Sequence, residues 1–119
     1  MSFAQGNAAL AAGDLRTAER IFQAIVQQEP TAHDAWLALA MIALRAGAPD
    51  IAVERARRAV DLNRNNALYL NNLGIAYSEH GDLGDAEKAF RRALSMKPAY
   101  AEAHFNLGKA LHKQGRQHD

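Results

Sequence analysis

The chain has 119 residues, 49% of them hydrophobic and 23% charged, and its 14 basic and 13 acidic side chains leave a formal net charge of +1. This composition fits an ordered, soluble chain and excludes a disordered one. The charge is balanced in each part (seven basic and seven acidic residues in 1–66, seven and six in the remainder), so nothing drives the chain toward nucleic acid or an anionic membrane. With no cysteine, disulfides, thiolate metal sites and a cysteine nucleophile are excluded.

The N-terminus, MSFAQGNAALAAGD, has neither a basic start nor a long apolar run and so does not look like a secretory signal. No stretch approaches the ~20 apolar residues that a membrane-spanning helix needs, and a cytoplasmic protein is the default expectation. Helices are predicted near 2–12, 15–28, 33–46, 49–62, 67–80, 83–96 and 100–114. In 67–80 the apolar residues Leu70, Leu73, Ile75, Ala76 and Tyr77 follow a helical rather than an alternating pattern. Gly81 is suited to the left-handed conformation that closes a helix, and Asp82 to capping the helix that follows. That next helix places Ala86, Phe90, Ala93 and Leu94 on one face and stops at Pro98. Pro49 stands at a helix start, where its missing N–H costs nothing.

These elements repeat. The turn glycines Gly13, Gly47, Gly81 and Gly115 each follow the last by 34 residues. Ala18, Ala52 and Ala86 keep the same step, as do Phe22, Ala56 and Phe90, and Pro30, Arg64 and Pro98 mark the unit ends. A constant period of this length is the mark of stacked helical hairpins. Gly74 and Ala86 are expected to face each other where the two helices of a hairpin cross.

Leu73-Gly74, Tyr77, Gly81, Ala86, Phe90, Ala93 and Pro98 resemble the full tetratricopeptide repeat signature. The second unit is similar through Trp36, Leu39, Gly47, Ala52 and Ala59. It departs at Ala40, Ala43, Ala56 and Arg64, and is expected to be looser or slightly re-angled. The first unit keeps Gly13, Ala18, Phe22 and Pro30, with Gln5-Gly6 in place of Leu-Gly; the last has Leu107-Gly108 and Gly115. The resemblance implies an all-α fold, a right-handed superhelical solenoid of antiparallel helix hairpins with about seven helices. The units would be 1–32 with a truncated start, 33–66, 67–100, and 101–119 as the first helix of a fourth repeat or a capping helix.

Only the first helix of that last unit is present, and Leu107 and Leu111 stand at positions that would be left exposed. Burying one leucine is worth roughly 1.5–3 kcal/mol, so such a face is a candidate for self-association into a homodimer. Two readings of this end are open: a solvating helix carrying Glu102, Asn106, Lys109 and Lys113, or the N-terminal piece of a longer protein.

In the family the first helices line a concave groove that holds ligands. The resemblance implies a partner-binding groove with Phe3, Asn7, Leu37, Met41, Leu44, Arg45, Asn72, Ile75, Asn106 and Lys109. Leu37, Met41 and Leu44 read as an apolar patch for a partner, or as residues packing on neighbouring units. Asn72 and Asn106 resemble two rungs of the asparagine ladder of O-GlcNAc-transferase repeat domains, with Ala4 and Ala38 at the earlier rungs; asparagine is also simply common there. The basic clamp that chaperone-binding repeats use on a terminal carboxylate is missing, since Phe3, Asn7, Leu68 and Asn72 stand in its place.

His33, His80, His104, His112 and His118 form no i,i+4 pair, so no metal site is expected, and His104 reads as a partly buried filler. Arg55, Arg57, Arg58, Arg91 and Arg92 fall on second helices and read as a solvated outer face, not a nucleic-acid stripe. No nucleophile–base–orienter set is visible, and no cofactor or enzyme activity is expected. The reading is a protein–protein interaction module that binds a peptide or partner segment. Alternatives are the recruiting arm of a larger enzyme such as a glycosyltransferase, or a structural module stacking through its C-terminal face. Ala86→Leu is expected to lower stability by about 1–3 kcal/mol through overpacking, read as a drop in the thermal midpoint.

Overall fold

A computed structural model describes residues 2–115; residue 1 and residues 116–119, His118 among them, lie outside it. Its helices are α1 (Phe3–Ala11), α2 (Leu15–Gln28), α3 (His33–Arg45), α4 (Pro49–Leu62), α5 (Ala67–His80), α6 (Leu83–Met96) and α7 (Ala101–Lys113), with no strand among the described residues. Consecutive helices pack in antiparallel hairpins, and the units stack along one axis to give extents of 47 × 26 × 21 Å.

The turns follow from the repeating glycine. Gly13, Gly47, Gly81 and Gly115 have φ of 76°, 74°, 94° and 75°, in the left-handed region. There the chain can close each of the first three hairpins' first helices with a bond from the residue that follows the glycine. Asp14, Ala48 and Asp82 donate their N–H to the carbonyls of Ala9, Ala43 and Tyr77, each at 2.9 Å. Ser2 caps α1 in a reciprocal box with Gln5, and Asp14 and Asn66 cap α2 and α5 by accepting from the N–H of Thr17 and Tyr69. Asp82 differs from expectation. Its carboxylate makes no cap bond to α6 and pairs instead with His80 Nδ1 at 2.8 Å. Pro49 opens α4 as expected, and α4 ends at Leu62 although Arg64 replaces the terminal proline.

The hairpins close on a ring-and-glycine contact. A Cβ placed on Gly74 would lie within 2.8 Å of three ring atoms of Phe90, and one on Gly6 within 2.9 Å of three ring atoms of Phe22. The partner of Gly74 is therefore Phe90 and not Ala86. Ala86 is fully buried in a cluster with Phe90, Leu107, Ala110 and Leu111, where α6 meets α7. In the second unit, alanines stand where glycine and ring would be: Ala40 and Ala56 are 1% and 0% exposed within one cluster. A methyl on each side replaces a hydrogen against a ring, and burial there shows no loosening.

Two further expectations are corrected. Leu107 and Leu111 are buried, 9% and 4% exposed, against α6. They close the stack from within the chain and leave no leucine face for self-association. His104 is exposed, and its Nε2 donates to the carbonyl of Pro98 at 2.8 Å. Trp36, two repeats earlier in register, makes the same bond to Pro30 at 2.8 Å. Gly74→Ala is expected to lower stability by about 1–3 kcal/mol, because the added methyl enters the space of the Phe90 ring; chemical denaturation measures it.

Candidate functional site

The two sides of the array differ. On one side the first helices touch in succession, α3 on α5 and α5 on α7; no comparable contact joins the second helices, which fan apart. The first helices are also tied by side chains. His33 Nδ1 lies 2.7 Å from the Tyr69 hydroxyl, and Asn106 donates its amide to the Asn71 carbonyl oxygen at 3.2 Å. An inner face running over α3, α5 and α7 results, on the side where the sequence reading expects a groove.

The expected residues are distributed unevenly over it. Asn7, Arg45 and Lys109 are exposed. Lys109 Nζ lies 5.4 Å from the centre of the Phe105 ring, close enough for a cation–π contact. Ile75 is half-buried beside the α6–α7 cluster. Phe3 is half-buried, its ring edge-on to Phe22 at 5.2 Å, and it borders a surface cleft with Ile25, Gln28 and Asp34.

The apolar patch is a correction. Leu37 is only 8% exposed and belongs to the core cluster that includes Tyr69, Leu70 and Leu73. Met41 is half-buried against that same cluster, and Leu44 packs beside Ala43, Ala52 and Ala76. These side chains join neighbouring hairpins, and the large exposed apolar residues of the first helices are instead Leu68, at 50%, and Phe105, at 67%.

The asparagines also divide. Asn72 turns its amide onto the carbonyl of Leu68 in its own helix, at 3.1 Å. Asn71 has no exposed surface: it donates to Glu102 Oε1 at 3.1 Å and accepts from Asn106. With a donor and an acceptor both used, a fully buried amide is satisfied. The two asparagines of the expected ladder thus do different work, one bonding locally and one bridging α5 to α7. The sequence alone did not show this structural role of Asn71; the available signal was Asn106, 35 residues on and one place past the equivalent position.

On the outer side, Arg55 departs from the solvated reading. Its side chain is 15% exposed, forks onto both carboxylate oxygens of Glu19, and donates to the Leu39 carbonyl at 3.0 Å. The pair ties α2 to α4 where the second helices diverge. Burial pushes the Glu19 carboxyl up, but the hydrogen bonds from Arg55 and Gln23 and the Arg55 charge outweigh it and hold the group below its usual value. Among the described residues no group of three or more His, Asp or Glu is placed to hold a metal ion, and no helix is long and apolar enough to cross a membrane.

Comparison with known proteins agrees with this architecture. The family profile described as "Tetratricopeptide repeat" matches residues 3–67, 37–84 and 71–118. Human protein O-mannosyl-transferase TMTC3 is 28% identical over 102 residues, 85% of this chain and 11% of its own length. The chain spans less than a fifth of the length of the curated relatives it matches. The crystal structure of MamA superposes with a TM-score of 0.90 at 25% identity, covering 98% of this chain and 67% of MamA. The first repeat domain of Spaghetti (RPAP3), solved with the HSP90 peptide SRMEEVD, superposes with a TM-score of 0.90 at 22% identity, covering 94% of this chain and 89% of that one. At that identity the second likeness establishes the fold alone.

Because the folded-state Glu19 value lies below the unfolded one, the contribution of the Arg55 pair is fully present above the unfolded pKa and is lost as pH falls below about 4.5, through the folded value. Glu19→Gln is expected to cost about 1 kcal/mol at neutral pH and to flatten this part of the acid limb of a stability–pH profile.

Proposed function

Since the chain belongs to the tetratricopeptide repeat family, whose profile covers it from residue 3 to residue 118, we propose that it is a protein-interaction module that holds a peptide or an extended partner segment on its inner face. The observation that carries this reading is the succession of first helices, which leaves a continuous surface bearing exposed Leu68 and Phe105 beside Asn72 and Lys109. Apolar side chains at the centre with amides and a cation alongside suit a segment held by its side chains and its backbone together. The RPAP3 domain of the same fold takes a peptide, which makes this fold an adequate holder for one. The role is one of binding and not of catalysis.

A second reading is favoured by one observation. The chain corresponds to 11% of an O-mannosyl-transferase, so a module like it can serve as the recruiting arm of a larger enzyme. The binding chemistry proposed for the inner face is the same in either case.

Peptides selected from a random library against the chain test the proposal. Leu68→Glu is expected to weaken them by about tenfold or more, the scale of losing one buried apolar anchor, while leaving the thermal midpoint in place because Leu68 is half-exposed. Selected peptides that tolerate Leu68→Glu, or that shift amide resonances of α2, α4 and α6 instead of α3, α5 and α7, would sink it.

A further inference from the structure

Between α4 and α6 the space on the outer side is taken by Tyr77. It packs against the two clusters that contain Ala56 and Ala59 of α4 and Ala86 and Phe90 of α6. Its hydroxyl feels the charges of Arg57 and Asp61 on α4 and of Asp82 and Asp85 around the start of α6. One unit later the same register holds Leu111, 4% exposed. One unit earlier it holds Ala43, between α2 and α4. Ala48 and Ile51, which stand in register with Asp82 and Asp85, line a hollow of about 390 Å³ there with Leu15, Ile42 and Ala43. All of its walls lie within residues 15–55, in the interior of the chain. Ile51 on its rim is 42% exposed, a large apolar side chain on the outer side.

We infer that this hollow is a docking seat for a segment of another protein, which lays a tyrosine ring over Ala43 and sets acidic residues beside it against Arg16. The ring follows from packing: where the array fills this register itself it uses a large side chain, and in the adjoining unit a tyrosine. The acidic residues follow from charge. Three charged residues line the hollow; Glu19 and Arg55 are paired with each other, and exposed Arg16 makes no ion pair among the described residues. The hollow is open-sided, so a free small molecule would stay largely wet, whereas a side chain borne on a backbone also covers Ile51. A second copy is disfavoured. The exposed ring of the chain itself, Phe105, has Lys109 5.4 Å from its centre and would bring that cation against Arg16. No lining residue belongs to the inner-face reading, so the two can fail separately.

The probe is the peptide Gly-Ser-Glu-Tyr-Glu-Ser-Gly, titrated into the isotope-labelled 119-residue chain and followed by amide chemical shifts. Saturable shifts are expected around Leu15, Ile42 and Ile51. Alanine for the tyrosine in the peptide, and Ala43→Tyr in the protein, are each expected to weaken binding by about tenfold or more, since one removes the ring and the other fills its seat. Ile51→Asp, at an exposed position, is expected to weaken it as much without touching the core, and it reads the seat independently should Ala43→Tyr not fold. Arg16→Glu is expected to reverse the charge preference, so that a peptide with lysines in place of its glutamates binds the better. Leu68→Glu is expected to leave binding unchanged. No saturable shift, shifts confined to α5 and α7, binding that survives Ile51→Asp, or an unaltered charge preference in Arg16→Glu overturns the inference. So does p-cresol bound as tightly as the peptide, for then a small phenol is the occupant. A concentration-dependent dimer that Ile51→Asp returns to monomer overturns it as well, for then a second copy covers the seat.

Discussion

Two helices approach closely when one of them gives up a side chain, and in this chain the approach is made by a glycine against a phenyl ring. At Gly6 and Gly74 the ring sits where a Cβ would be. That contact sets the separation within a hairpin, and the left-handed glycine closing the first helix sets the turn. With the hairpin fixed, the second helix has one face left for the next unit, and Ala86 and Phe90 there meet Leu107 and Leu111. The array is thus built by repetition of a local solution, each unit burying what the previous one leaves open.

The inner and outer sides follow from the same stacking. First helices contact one another and second helices splay. Small and apolar residues close the inner side, while long side chains bridge the outer one, as Arg55 does to Glu19 across 36 residues. Buried polar groups obey the same economy of partners. Asn71 is fully enclosed, yet its amide is matched at both ends by Glu102 and Asn106, and no buried side-chain polar atom among the described residues lacks a hydrogen bond. The network locks α7 onto α5 and so holds in place the helix that carries Phe105 and Gly108.

Function in such an array depends on what the stacking leaves uncovered. Leu37, Met41 and Leu44 look like a free patch when one hairpin is considered alone, but the neighbouring hairpins take them up. What stays open is smaller and lies further along the chain, at Leu68 and Phe105. Both are apolar and stand beside an amide and a cation, Asn72 and Lys109, the combination that lets a partner gain burial without losing orientation.

The 34-residue step of glycine, alanine and aromatic residues determined the helices, their turns and their hairpin pairing, because each of those is settled by contacts within a few tens of residues and written in residue type. It also located the inner-face helices. What it did not determine was exposure. Whether Leu107 is bare, whether Asn106 is free for a ligand, or whether Arg55 is solvated depends on side chains about 17 to 36 residues away, brought close only by the stacking of units. Leu37 and Leu68 make the distinction plain: both are leucines of first helices, and only the tertiary structure separates the one that enters the core from the one that stays half-exposed.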